Sequence, residues 1–259
     1  MPFAEFGDVR IRYQWDGPEN APVVMLSNSL GTDFSMWDAQ AAAWSKKFRV
    51  LRYDTRGHGQ SSVTPGPYSI QQLGCDVVAL LDELGVHKAS FCGLSMGGQT
   101  GMWLGGNAPL RLHKLVLCNT GAKIGNTEGW NARIESVRSN GMKSLAPAVI
   151  QRWFTEEFRT REAAKVAAVQ AVLENTSVDG YIANCAAVRD FDYRERVDKI
   201  AIPTLVVAGA ADTATTPADG RFIAERISGA RYLELNAAHL SNIGDEVRFT
   251  SEVGAFLGT

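Results

Sequence analysis

Between residues 89 and 104 the chain reads ASFCGLSMGGQTGMWL: an apolar, strand-like run, a serine set among Gly93, Gly97 and Gly98, then a helix-like stretch. Little else in the sequence limits the fold as much. Glycine weakens helices and strands alike, so this density marks a backbone turn that side chains would obstruct. Gly93-Leu94-Ser95-Met96-Gly97 fits the pattern G-x-S-x-G, in which a strand turns abruptly into a helix and leaves the serine hydroxyl exposed at the sheet's carboxyl edge. Alone the pattern is common; its place between a strand and a helix gives it weight.

Such a turn implies a parallel sheet, and the rest of the chain supplies its parts. Two short strands flank Gly7-Asp8, and apolar runs at 22–27 and 48–54 read as further strands. Helices are expected at 35–47 and at 69–86, where Leu73, Val77, Leu80, Leu81 and Leu84 recur at helical spacing. A sixth strand is expected at 112–120. The strand–helix rhythm then stops until Ile202, in a stretch rich in Arg, Glu, Ala and Trp. It resumes with strand 202–212, a helix from Pro217, strand 230–236 and a last helix from Asp245 to Leu257. The expected architecture is α/β: an eight-stranded, mostly parallel sheet flanked by helices. Its core comprises 1–121 and 201–259, and residues 122–200 form a helical cap or lid inserted after the sixth strand.

Composition narrows the function. Lysine and arginine number 26 against 28 aspartates and glutamates, for a net charge of −2. With no basic block, a nucleic-acid partner is not expected. No apolar run reaches membrane-spanning length and the N-terminus lacks a signal-peptide pattern, so no membrane association is expected either. Cys75, Cys92, Cys118 and Cys185 are scattered, which suits buried thiols in a reducing compartment, by default the cytoplasm. Nothing in the sequence fixes an oligomeric state.

A serine hydroxyl needs a base, and the base an acid to orient it. His87 sits in a short link, and His113 opens a strand at the end away from Ser95. His58, in YDTRGHGQSS, follows a strand, but with Asp54 it reads best as a structural loop beside the site. His239 lies just past the carboxyl end of the last strand, and Asp212 just past that of the seventh. The chain order Ser95, Asp212, His239 is that of the α/β-hydrolase fold, whereas Asp219 and Glu234 fall inside a helix and a strand. Oxyanion stabilisation would come from the backbone N–H groups of Met96 and of Leu30, in the loop SNSLGTD after strand 22–27. Serine chemistry calls for no cofactor, and no spacing suggests a metal site.

LSNSLGTDFSMWDAQ, FRVLRYDTRGHGQS, FCGLSMGGQTGMWL, KLVLCNTGAKIG and AAHLSNI together resemble the 3-oxoadipate enol-lactonases, hydrolases of aromatic degradation. The likeness continues through RIESVRSNGM, QRWFTEEFR and GYIANCAAVRDFDYRERVDKI in the insertion. One departure is Gly244-Asp245, where a Glu followed by a polar residue would be expected. The resemblance implies that Ser95, His239 and Asp212 open an unsaturated lactone ring whose acetate arm bears a free carboxylate. A cation should then face the site. Trp130, Arg133, Ile134 and Val137 share one helical face, making Arg133 and Trp130 the candidate substrate contacts, with Arg138 and Arg189 in reserve. Trp153 and Phe154 read as anchors of the cap, and Cys118 as a packing residue. A carboxylesterase or cofactor-free perhydrolase with the same triad, or a receptor that keeps a hydrolase fold, remain alternatives.

Overall fold

The computed structural model describes residues 2–259. In chain order its strands are β1 (Phe3–Phe6), β2 (Val9–Asp16), β3 (Val23–Ser27), β4 (Arg49–Tyr53), β5 (Ala89–Leu94), β6 (Leu112–Cys118), β7 (Thr204–Gly209) and β8 (Arg231–Leu235). They form one sheet in the order β1-β2-β4-β3-β5-β6-β7-β8. The β1–β2 and β2–β4 pairs are antiparallel, and every later pairing is parallel.

The inner strands β3, β5 and β7 are nearly continuous apolar, buried runs because both faces of the sheet are covered there. Phe91, Leu115, Leu117 and Val206 point into one hydrophobic core, and Cys92, Leu94, Val116 and Val207 into the other, as the two-residue period of a strand requires. Before the insertion the helices are α1 (Asp38–Trp44), α2 (Ile70–Glu83) and α3 (Met96–Asn107). α2 starts where the Ser69 hydroxyl accepts from Gln72 N–H, and it buries Leu73, Val77, Leu80 and Leu81. The helix expected at 35–47 is shorter: Asp33 caps a 3₁₀ turn at Phe34–Trp37, and α1 follows.

Between β6 and β7 the chain is helical, with α4 (Thr127–Trp153), α5 (Glu156–Arg161), α6 (Ala163–Glu174) and α7 (Val178–Asp190). α4 is broken at Gly141, whose φ of 73° and ψ of 176° lie outside the helical region. α8 (Pro217–Arg226), α9 (Ser241–Gly244) and α10 (Glu246–Gly258) complete the chain; α10 is the expected last helix, and the one-turn α9 before it was not expected. Among the described residues no helix is long and apolar enough to cross a membrane.

Strand order explains where a ligand can enter. The chain passes from β3 outward to β4 and then returns to β5 on the opposite side of β3. At such a reversal the loops leaving the two strand ends diverge and open a crevice. β3 and β5 end side by side, with Ser27 opposite Gly93. The 28–32 loop leaves from one and Ser95 from the other.

Candidate active site

Ser95 has φ 59° and ψ −113°, a left-handed conformation that costs a residue with a side chain about 1–3 kcal/mol. The surroundings impose it. Ser95 N–H donates to Cys118 O at 2.9 Å, and Ser95 O accepts from Thr120 Oγ1 at 2.8 Å and from Gln99 N–H at 3.0 Å. The glycines are there for close approach: a Cβ on Gly93 would strike the carbonyl of Gly97, and one on Gly97 the backbone of Ser27. Gly97 N–H donates to Asn28 O at 3.1 Å, tying the start of α3 to the neighbouring loop.

Asp212 lies three residues beyond β7 and His239 four beyond β8, at the same sheet edge as Ser95. Asp212 Oδ2 is 2.8 Å from His239 Nδ1. It also accepts from Asn119 Nδ2 at 3.0 Å and Thr215 Oγ1 at 2.8 Å, while Oδ1 accepts from Ala214 N–H and Thr215 N–H. Burial alone would raise this carboxyl's pKa. The His239 charge and hydrogen bond, with those from Asn119 and Thr215, outweigh it and hold Asp212 at about 2. His239 and Ser95 line one cavity.

Asn119 and Thr215 were not singled out from the sequence. Asn119 sits one residue past β6 with φ 43°, a conformation asparagine tolerates better than most, and its Oδ1 accepts from Ser241 Oγ. Its position at a strand's carboxyl end was the available signal. The other histidines fall as expected: His87 and His113 are exposed, and His58 is buried in the loop after β4. Asp54 is buried beside it, accepting from Phe34 N–H and Gln60 N–H.

The 28–32 loop is tightly specified. Asn28 is pinned by its Nδ2 donating to Tyr53 O at 2.8 Å and its Oδ1 accepting from Trp37 Nε1 at 3.1 Å. Ser29 N–H faces Met36 Sδ, Gly31 N–H donates to His58 Nε2, and Thr32 N–H donates to Ser29 O. The intervening Leu30 N–H has no such partner among the described residues, and Leu30 lines the cavity.

That cavity encloses about 360 Å³ between the strand ends and the insertion. From the insertion come Trp130, Arg133, Arg152, Trp153 and Tyr181. Trp130 donates its indole N–H to Ile124 O at 2.7 Å, and the Arg133 guanidinium stands 4.8 Å from the Trp130 ring centroid. Arg138 and Arg189 do not reach the cavity. Arg138 pairs with Glu135 on its own helix, and Arg189 with Asp190 and Asn131.

Arg152, by contrast, was overlooked. Val149, Arg152 and Trp153 share a helical face, a signal present in the sequence but read only as packing at Trp153. Phe154 stacks on Phe158 of the insertion, with centroids 5.1 Å apart, and is buried in the hydrophobic cluster that also holds Leu30, Cys92 and Leu240. Burial first, and then the like charge of Arg133, push the Arg152 pKa down, although a guanidinium stays protonated. Neither arginine has a carboxylate partner, and no Asp or Glu lines the cavity among the described residues. Among the described residues, no three His, Cys, Asp or Glu side chains gather as a metal would need.

A family model described as the alpha/beta hydrolase fold matches residues 22–246. The chain is 43% identical to 3-oxoadipate enol-lactonase 2 of Acinetobacter baylyi over 250 residues, 96% of this chain and 94% of that one. The crystal structure of the enol-lactonase from Burkholderia xenovorans LB400 superposes with a TM-score of 0.98 at 48% identity, covering 100% of both chains. A malate-bound thermophilic esterase from Thermogutta terrifontis is similar at 25% identity, with a TM-score of 0.92 over 96% of this chain and 93% of that one.

Proposed function

This chain belongs to the α/β-hydrolase family and, within it, to the 3-oxoadipate enol-lactonases, and from that premise we propose that it hydrolyses 3-oxoadipate enol-lactone to 3-oxoadipate. Ser95 Oγ attacks the ring carbonyl while His239 takes its proton, and Asp212 orients and stabilises the imidazolium. The developing oxyanion is met by the N–H groups of Met96 and Leu30. The ring C–O bond breaks and its oxygen leaves as an enol, which becomes the ketone. Water, deprotonated by His239, then releases the acyl group from Ser95. No metal or cofactor enters this sequence of steps.

One observation carries the substrate reading: two arginines, Arg133 and Arg152, face a cavity with no carboxylate of its own. Their mutual repulsion is relieved when an anion lies between them, and the free carboxylate of the lactone's acetate arm is such an anion. Trp130 and Trp153 would enclose the ring. In this reading residues 122–200 are the cap over the core formed by 1–121 and 201–259. The four free cysteines, three of them buried, suit the cytoplasm as its location.

The test is hydrolysis of the lactone beside a neutral ester of similar size, by wild type and Ser95→Ala. A strong preference for the lactone in kcat/KM, lost in Ser95→Ala, is expected. Preference for the neutral ester would make the protein a general carboxylesterase.

A further inference from the structure

His58 transfers no proton in these steps, yet it is 1% exposed and partners face both of its ring nitrogens. Nε2 lies 2.8 Å from Gly31 N, and a backbone N–H can only donate, so Nε2 is the acceptor. The proton of the neutral ring is therefore on Nδ1, towards the Arg56 carbonyl. Asn184 on α7 donates from Nδ2 to that same carbonyl at 2.8 Å, and to Gly180 O at 2.8 Å. The 3.4 Å between Asn184 Nδ2 and His58 Nδ1 is then an approach of two donors sharing one acceptor.

Gly31 is held from the other side as well. Its φ is +83°, and a Cβ there would come within 2.6 Å of Leu173 Cδ1 and 3.1 Å of Tyr181 Cε2, on α6 and α7. The peptide between Leu30 and Gly31 is thus clamped, with the imidazole on its N–H and the cap against its Cα. That peptide's orientation sets the backbone of Leu30.

We propose that His58 is a positioning residue for the oxyanion hole: by accepting from Gly31 N–H it fixes the turn that presents Leu30 N–H to the substrate, and Asn184 links this setting to the seating of the cap. The inference rests on the reading of Ser95 as nucleophile and Leu30 N–H as oxyanion donor. It accounts for a buried histidine that neither shuttles protons nor touches the cavity.

The experiment compares His58→Leu, His58→Gln and Asn184→Ala in kcat and KM for the lactone and for p-nitrophenyl acetate. Affinity for a short alkyl boronic acid, whose tetrahedral serine adduct places an oxygen in the oxyanion hole, is the second readout. His58→Leu should lower kcat by roughly 10- to 100-fold with little change in KM, and weaken the boronate in parallel. His58→Gln, with an amide oxygen in place of Nε2, should recover most of both, and Asn184→Ala should lose several-fold in kcat. Wild-type kcat in His58→Leu, or a glutamine variant as poor as the leucine, would overturn the proposal; so would lost kcat with boronate affinity intact. Should His58→Leu not fold, the other two decide: near-normal kcat in His58→Gln with a loss in Asn184→Ala supports the proposal, and the reverse sinks it. Leu30→Pro deletes the donor itself, so weakened boronate binding there but not in His58→Leu would sink only the role of His58. A wild type inert towards both esters and the boronate would instead overturn the reading of Ser95.

Discussion

The two sides of the cavity are built by different means. On the core side, Ser95, Asp212, His239 and Leu30 stand at the ends of strands. Their places follow from strand order, the Ser27–Gly93 register and backbone hydrogen bonds such as Gly97 N–H to Asn28 O. On the cap side, Arg133 and Arg152 project from two parts of one helix broken at Gly141. No backbone register holds them; they depend on side-chain packing and on which face of α4 meets the cavity. In the proposed function the core side carries out the reaction and the cap side selects the acid, so the two should fail differently when mutated.

The largest effect should come from the core side. Ser95→Ala is expected to lower kcat about a millionfold, for the lactone and a neutral ester equally, because the nucleophile serves both. Asp212→Asn should cost on the order of 10⁴-fold in kcat with a nearly unchanged KM, since the carboxylate acts through His239 and never touches substrate. Steady-state kinetics on both substrates checks each. A loss confined to the lactone would break the division between the sides.

On the cap side the expected sign reverses, from kcat to KM. Arg133→Ala and Arg152→Ala should each raise the KM of the lactone by roughly 10- to 100-fold, the worth of a charge-assisted hydrogen bond, and change the neutral ester far less. The sharper form of the test is the pair. If one carboxylate bridges both guanidiniums, the two losses should not add in the double variant. Equal effects on lactone and neutral ester would mean that the arginines only hold the cap in shape.

The same contrast governs what could be read from the sequence. The elbow was legible because its cause is local: Gly93 and Gly97 are required by contacts with Gly97 O and Ser27, which any strand–turn–helix of this kind creates. Asp212 and His239 were legible because each follows an apolar strand, and strand ends of a parallel sheet share an edge. Arg152 was not, although its spacing from Val149 was visible, because Arg133 fitted the same helical pattern and nothing local says that both face inward. Thr215 bonds Asp212 from three residues on in the same loop, a local turn that went unread, whereas Asn119 reaches it only because the ends of β6 and β7 lie side by side, which no spacing records. His58 was read as part of a structural loop beside the site, but its bond to Gly31 joins two loops 27 residues apart, which that reading did not foresee.

His58 lies at the seam between the two sides, and the smallest of the predicted effects probes that seam through stability. Burial lowers its pKa from 6.5 to about 4, with the Arg56 carbonyl and the charge of Asp33 opposing only in part, and Asn184, its neighbour from the cap, is uncharged. Between pH 6.5 and 4 the unfolded chain therefore binds a proton that the folded chain refuses, and stability must fall as the pH falls through that window. From pH 7.5 to 5.5 the loss due to this residue should be about 1 kcal/mol, a few degrees or less in Tm for a chain of this size. Asp212 does not confuse the measurement: its carboxyl is depressed to about 2, so its stabilisation is lost only as the pH drops from about 4 towards 2. Urea unfolding at the two pH values, for wild type and His58→Gln, isolates the term, because glutamine keeps an acceptor for Gly31 N–H and does not titrate. A steeper pH dependence in wild type than in the variant is expected. Equal slopes would mean that His58 takes up its proton in the folded chain as readily as in the unfolded one, which the bond from Gly31 N–H to Nε2 forbids.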